Sequence, residues 1–257
     1  MRRHNFLLLV QASAIVLALI PSLTAYGGQN GFNLAKLRPI VDDHSIPPAE
    51  RIARGVAYLK EELASPSPES WGLAGGPIDT GYIQEVIVGV LAFPGVEAPK
   101  ALRQQRDNAT DKRMKDRLTI SLGLAGAQDT IPDILRIART DPEGAVRTTA
   151  LRALTELATP PSPTEVPLRY LPGQVYHPLN AKAVQAMTEG FLSSLQDTYK
   201  RYTGVNKEQA TPYYPAQFYS KLGLRLLGYQ VETTKQGWRI FNSKGQLVRE
   251  VALKQAE

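Results

Sequence analysis

DPEGAVRTTALRALTEL, residues Asp141 to Leu157, places apolar side chains at helical spacing and holds nothing that resembles a reactive centre. Asp141 is the expected N-cap. Pro142 takes the first helical position, where its missing N–H costs nothing, and Glu143 complements the positive end of the helix dipole. Val146, Ala150, Leu154 and Leu157 fall on one face, and Ala150 is small enough to admit a neighbouring helix. This phase predicts that Leu154 is buried and that Thr148 lies on the opposite side, where an added charge would be tolerated.

The design recurs at a fixed offset. A shift of 33 residues lays Leu91–Arg106 over Leu124–Arg139 and matches Pro99 with Pro132, Leu102 with Leu135, Arg103 with Arg136 and Arg106 with Arg139. A shift of 32 lays Met114–Ala125 over Val146–Leu157, and YIQEVIVGVLAF, from Tyr82, is a fainter third copy. Helices of about a dozen residues are marginal alone, so each pair must bury its apolar stripe against the next. The expected fold is mainly α, an α-α solenoid over residues 49–158.

On IPDILRIART (Ile131–Thr140) and DPEGAVRTTALRALTEL together, the chain resembles a HEAT repeat of the short kind found in phycobilin-lyase-type and related bacterial proteins. The resemblance covers Gln128 to Ala158 and, less closely, Pro99 to Gly126. Such a unit carries an Asp in the turn and a Val-Arg at the start of its second helix. The resemblance therefore implies that Asp141 and Arg147 belong to a polar ladder tying successive repeats together, and that the chain binds or scaffolds. The preceding unit departs from this pattern, with Lys115 in place of Arg147 and the turn DNATDK. Lyase activity is not implied by the repeat.

The flanks have a different character. Arg2 and Arg3, the apolar stretch Phe6 to Ile20, Pro21, and then Thr24 and Ala25 have the layout of a secretory signal peptide over residues 1–25. The apolar stretch is shorter than the roughly 20 residues that cross a bilayer. The expectation is an exported protein, periplasmic or secreted, with no integral span in the mature chain. Residues 26–48 read as a flexible leader. Residues 159–173, TPPSPTEVPLRYLPG, hold five prolines and read as an extended connector. Residues 174–257 are expected to form helices and a small antiparallel β element. One helix is capped by Asn180 and runs through Val184, Met187, Phe191, Leu195, Tyr199 and Tyr202; another covers PAQFYSKLGLRLLGY. Two or three short strands then surround the turns Lys235-Gln236-Gly237 and Asn242-Ser243-Lys244-Gly245.

Without residues 1–25 the chain keeps 28 of its 30 basic residues and all 24 acidic ones, a net charge of +4. That falls short of the concentrated basic signature of a nucleic-acid binder. The chain has no cysteine, which removes disulfides, zinc-thiolate sites and a cysteine nucleophile. Its histidines, His4, His44 and His177, form no metal or acid–base cluster, and the glycine-rich SWGLAGGP lacks the Lys-Ser/Thr of a phosphate loop. No cofactor or metal is expected.

Two features read as binding surfaces. Lys100–Arg117 carries seven basic residues against three acidic ones. Within it Arg113 and Arg117 are four apart and off the Met114, Leu118 and Leu122 stripe, so with Arg152 on the next second helix they form the expected contact for an anionic partner. Eight of the eleven tyrosines lie between Tyr170 and Tyr229, densest in TPYYPAQFY. The expected function is a non-enzymatic HEAT-like scaffold binding a protein or an anionic envelope polymer, in an oligomeric state left open. The alternatives are an enzyme acting on envelope carbohydrate or peptide through a pair of carboxylates, and a carbohydrate-binding module using the C-terminal tyrosines. Mass spectrometry of the exported protein is expected to find Tyr26 at its N-terminus; a chain retaining Met1 to Ala25 would refute the cleavage.

Overall fold

The structure, a computed structural model, describes residues 43, 45–65, 80–92, 98–159, 178–203 and 211–253. The signal segment, most of the leader, SWGLAGGP, nearly all of the Pro-rich connector, His44 and His177 lie outside them. Eight α-helices are described: α1 (Pro48–Ala64), α2 (Thr80–Val90), α3 (Ala98–Asn108), α4 (Lys112–Leu124), α5 (Ile131–Thr140), α6 (Gly144–Ala158), α7 (Ala181–Ser194) and α8 (Pro215–Leu226). A 3-10 turn, Gln128–Thr130, precedes α5. Between α7 and α8 the chain forms an antiparallel pair, β1 (Arg201–Thr203) with β2 (Thr211–Tyr213). After α8 a three-stranded antiparallel sheet follows in the order β3 (Gln230–Thr234), β4 (Gly237–Phe241), β5 (Leu247–Ala252). No helix among the described residues is long and apolar enough to cross a membrane.

The helix ends follow from local chemistry. The Asp111 carboxylate accepts the N–H of Arg113 ahead of α4, and the Asn180 side chain accepts that of Ala183 ahead of α7. Helices α4 and α8 both stop at a left-handed glycine, Gly126 at φ 91° and Gly228 at φ 92°. The following amide then bonds back five residues, from Ala127 to Leu122 and from Tyr229 to Leu224, each at 3.0 Å.

Consecutive helices pack in pairs, α1 with α2, α3 with α4, α5 with α6 and α7 with α8. Between pairs α1 meets α3 and α5 meets α7, while α2 meets α4, α4 meets α6 and α6 meets α8. Helix α2 also reaches α6 directly. One apolar core runs from Ile52 in α1 to Val251 in β5. The sheet contributes Val231, Trp238 and Ile240 to that core, and it is tied to α7 by Arg249 bonding Glu189 and to the residues beyond α7 by Gln196 bonding the Ala252 carbonyl.

Three sequence expectations change. Asp141 does not cap α6, which begins at Gly144 with Glu143 as its flanking residue; instead Asp141 ends α5 and turns the chain by accepting the Glu143 N–H at 2.9 Å. Thr148 is not on a solvent face. It is 0% exposed, because α6 has α2, α4, α5 and α8 around it and is buried on nearly every side. The buried Thr149 and Thr155 hydroxyls return to carbonyls four residues earlier, whereas the Thr148 hydroxyl has no partner. Finally, α7 stops at Ser194, so Tyr199 and Tyr202 do not extend its stripe.

Close helix approach sets a further constraint. A Cβ on Gly223 of α8 would lie 2.2 Å from the ring of Phe191, which is itself fully buried in α7. Gly223→Ala should therefore lower the melting temperature, by about 1–3 kcal/mol of overpacking, although alanine is normally the better helix former by about 1 kcal/mol. Leu154→Asp and Thr148→Asp should both cost several kcal/mol by burying a charge. Thermal melts in which the Thr148 variant matches wild type would place that side chain outside the core.

Candidate functional site

The most ordered polar arrangement is a repeated joint between helix pairs. Asp111, Asp141 and Asp197 each stand in a turn and accept the backbone N–H two residues on, from Arg113 at 2.8 Å, Glu143 at 2.9 Å and Tyr199 at 2.8 Å. At the second and third of these turns an arginine from the preceding pair's second helix reaches the aspartate. Arg117 of α4 donates to Asp141 at 3.0 Å. Arg147 of α6 grips Asp197 with two bonds, at 2.7 and 3.1 Å.

Arg117 is 1% exposed and is answered on several sides. Besides Asp141 it meets Glu143 at 3.0 Å, and two of its nitrogens lie 3.4 Å from the Gln84 side-chain oxygen of α2. Arg147 also donates to the backbone carbonyls of Asp141, at 2.9 Å, and Pro142, at 3.1 Å, closing the α5–α6 turn. Its hydrogen bond to Asp197 outweighs burial and raises its pKa above the ordinary value. Asp141 and Arg147 thus meet through a carbonyl, while the Asp141 carboxylate belongs to Arg117.

The expected anionic-partner surface of Arg113, Arg117 and Arg152 is not assembled. Arg113 is exposed beside Asp111, at 3.6 Å. Arg117 is enclosed, because α4 is buried along almost all of its length past Lys115. Arg152 lies 3.8 Å from Glu156 and against Gly89 of α2. Spacing of four residues does put Arg113 and Arg117 on one side of the helix, but that side is covered over Arg117 by α2 and the α5–α6 turn.

A second polar centre was not readable in the sequence. Arg201 of β1 bonds Glu85 of α2 at 2.6 Å and the Tyr199 hydroxyl at 2.9 Å, with Glu85 116 positions away in the chain. Burial works against the Arg201 charge, but Glu85 and Tyr199 overcome it and its pKa is raised. Burial also raises the Tyr219 hydroxyl, within the field of Arg152, Glu85 and Tyr213.

Helix α4 carries a further charged cluster on Asp116. Asp116 receives Arg136 at 2.6 Å and Lys112 at 2.7 Å. Burial alone would raise its carboxyl, but these hydrogen bonds hold it below the ordinary 3.8. The carboxylates of buried Asp116 and of part-buried Glu85, Asp141 and Asp197 each face a guanidinium. Among the described residues no group of three or more His, Asp or Glu side chains is placed to hold a metal. An open groove of about 320 Å³ lies between α7 and β5, lined by Val184, Thr188, Leu192, Tyr229, Val248 and Arg249 among others. Compared with family models, characterised proteins and solved structures, the chain matches none.

Arg117→Met should cost about 3–5 kcal/mol, because it leaves Asp141 buried without its cation, and Arg117→Lys should not restore the loss since an ammonium cannot fork between partners. Chemical denaturation of the two variants measures both. Acid should expose the role of Asp116. Its folded pKa is depressed, so its contribution is complete above the ordinary 3.8 and is lost as pH falls through the folded value. The stability gap between wild type and Asp116→Asn should accordingly shrink below that pH.

Proposed function

We propose that the chain is an exported, non-enzymatic scaffold, built as a HEAT-like α-α solenoid, that binds a macromolecular partner in the cell envelope. The observation that carries this reading is the joint used twice in succession, Arg117 to Asp141 and Arg147 to Asp197, each linking a second helix to the turn of the following pair. A chain of stacked pairs needs such a joint to hold its order, since each short helix depends on its neighbours for burial. The helix pairing supports the same architecture, with second helices α2, α4, α6 and α8 following one another. The basic n-region and short apolar stretch at the N-terminus support export. Four carboxylates support a joining role, because Glu85, Asp116, Asp141 and Asp197 are each engaged by an arginine from another element.

The test combines fractionation with photocrosslinking in the native cell, using probes at the exposed Arg113 and at Val248 beside the α7–β5 groove. The scaffold reading expects the protein in the envelope or outside the cell, with a discrete crosslinked partner from at least one probe. Retention in the cytoplasm would overturn the export claim. Hydrolysis of envelope carbohydrate or peptide by the purified protein, abolished in Glu85→Gln, would overturn the non-enzymatic one.

A further inference from the structure

The outward face of α8 combines two kinds of side chain that soluble surfaces usually keep apart. Phe218 is 54% exposed, Tyr214 is 41% exposed and Tyr213, at the end of β2, is 38% exposed. Continuing from Tyr214 and Phe218 at helical spacing are Lys221, Leu222 and Arg225. All five positions lie on the side of the helix opposite Ala216, Ser220, Gly223 and Leu224, which are buried together with Pro215 at the helix start; Tyr214, Phe218 and Arg225 are exposed, and Lys221 and Leu222 are half-buried. The helix itself contains no acidic residue. Lys221 and Arg225 have no ion pair among the described residues. Partial burial and Arg225 together lower the Lys221 pKa.

We propose that this face docks on an anionic phospholipid surface, with Phe218, Tyr213 and Tyr214 entering the headgroup boundary and Lys221 and Arg225 meeting lipid phosphates. Aromatic rings with a polar edge settle at the bilayer interface, and a helix carrying apolar and basic residues on one side lies flat against it. Among the described residues the two cations have no counter-charge, and they stand toward the C-terminal half of the helix, where positive charge is favoured, so an external anion completes the face. The side chains project from the outside of a helix instead of lining the α7–β5 groove, which fits an extended surface better than an inserted peptide. The inference stands apart from the scaffold reading, since it needs neither the repeat architecture nor a protein partner.

The absence of cysteine makes a site-specific test possible in the full chain. A single Leu222→Cys labelled with an environment-sensitive fluorophore reports on this face, and Lys244→Cys, in the exposed β4–β5 turn, reports on the surface of the sheet. With vesicles of mixed phosphatidylcholine and phosphatidylglycerol, the label at 222 should shift to the blue and brighten while that at 244 does not, even if the N-terminal apolar stretch also contacts lipid. Raised salt should weaken the response. Lys221→Glu with Arg225→Glu should demand about tenfold more anionic lipid for the same signal, and Phe218→Ser should reduce it further, with both variants retaining the wild-type melting temperature. No shift at 222 on anionic vesicles at low salt would overturn the proposal and assign the face to a protein. Equal shifts at 222 and 244, equal response to pure phosphatidylcholine, or indifference to the substitutions would overturn it as well.

Discussion

The burial of Arg117 is the constraint around which the helices are arranged. A guanidinium cannot shed its charge, so enclosing it obliges the surroundings to supply matched acceptors. They come from two directions, Gln84 of α2 on one side and Asp141 with Glu143 of the α5–α6 turn on the other. Helix α4 therefore reaches its place only when the pair before it and the pair after it are in theirs. A slip of one helical turn would leave a charge in the core with no partner. Buried ion pairs add little net stability compared with apolar packing. The weight of this contact lies in geometry, because Arg117 meets its acceptors only where α2, α4 and the α5–α6 turn stand together.

The parts of this structure governed by short-range pattern were legible in the sequence. Helix α1 begins at Pro48, beside the expected boundary between leader and repeats at residues 48 and 49, and the turns at Gly237 and Gly245 separate three strands. The 33-residue offset marks the α3–α4 and α5–α6 pairs. What failed depended on how many neighbours an element has. Periodicity shows which face of α6 is most apolar, but Thr148 is buried because α6 is surrounded. Arg117 looked solvent-facing for the same reason: an off-stripe arginine defaults to water unless distant residues enclose it. Helix α7 was drawn too long because Tyr199 and Tyr202 kept the helical interval, while Asp197 had already turned the backbone. Of the candidate sites, Arg113 is exposed as the sequence suggested, and the Glu85–Arg201 contact left no local trace.

These contacts divide the polar side chains by task. Gln84, Glu85, Asp116, Asp141, Glu143 and Asp197, with the arginines facing them, are occupied in holding elements together. In the proposed scaffold, recognition would fall to exposed groups among the described residues: the aromatic and basic face of α8, and the apolar side chains of Leu247 and Val248 on β5, each about half exposed at 49%. Both surfaces lie in the C-terminal third, after the helix pairs that resemble one another most. In the proposed scaffold, the repeated part would set distance and orientation and the C-terminal part would make contact.

The Glu85–Arg201 bond also bears on the order in which the chain assembles. Most helix contacts join neighbours in sequence and form over short loops, which is rapid. This bond closes a span of 116 residues, and the entropy of closing a loop rises with its length. Helix α2 can find α1 and α4 early, yet Glu85 keeps its hydration until β1 has been synthesised. The first described pair of helices is thus among the last to be finished, and its completion reports that all but the last of the described helices have already been made.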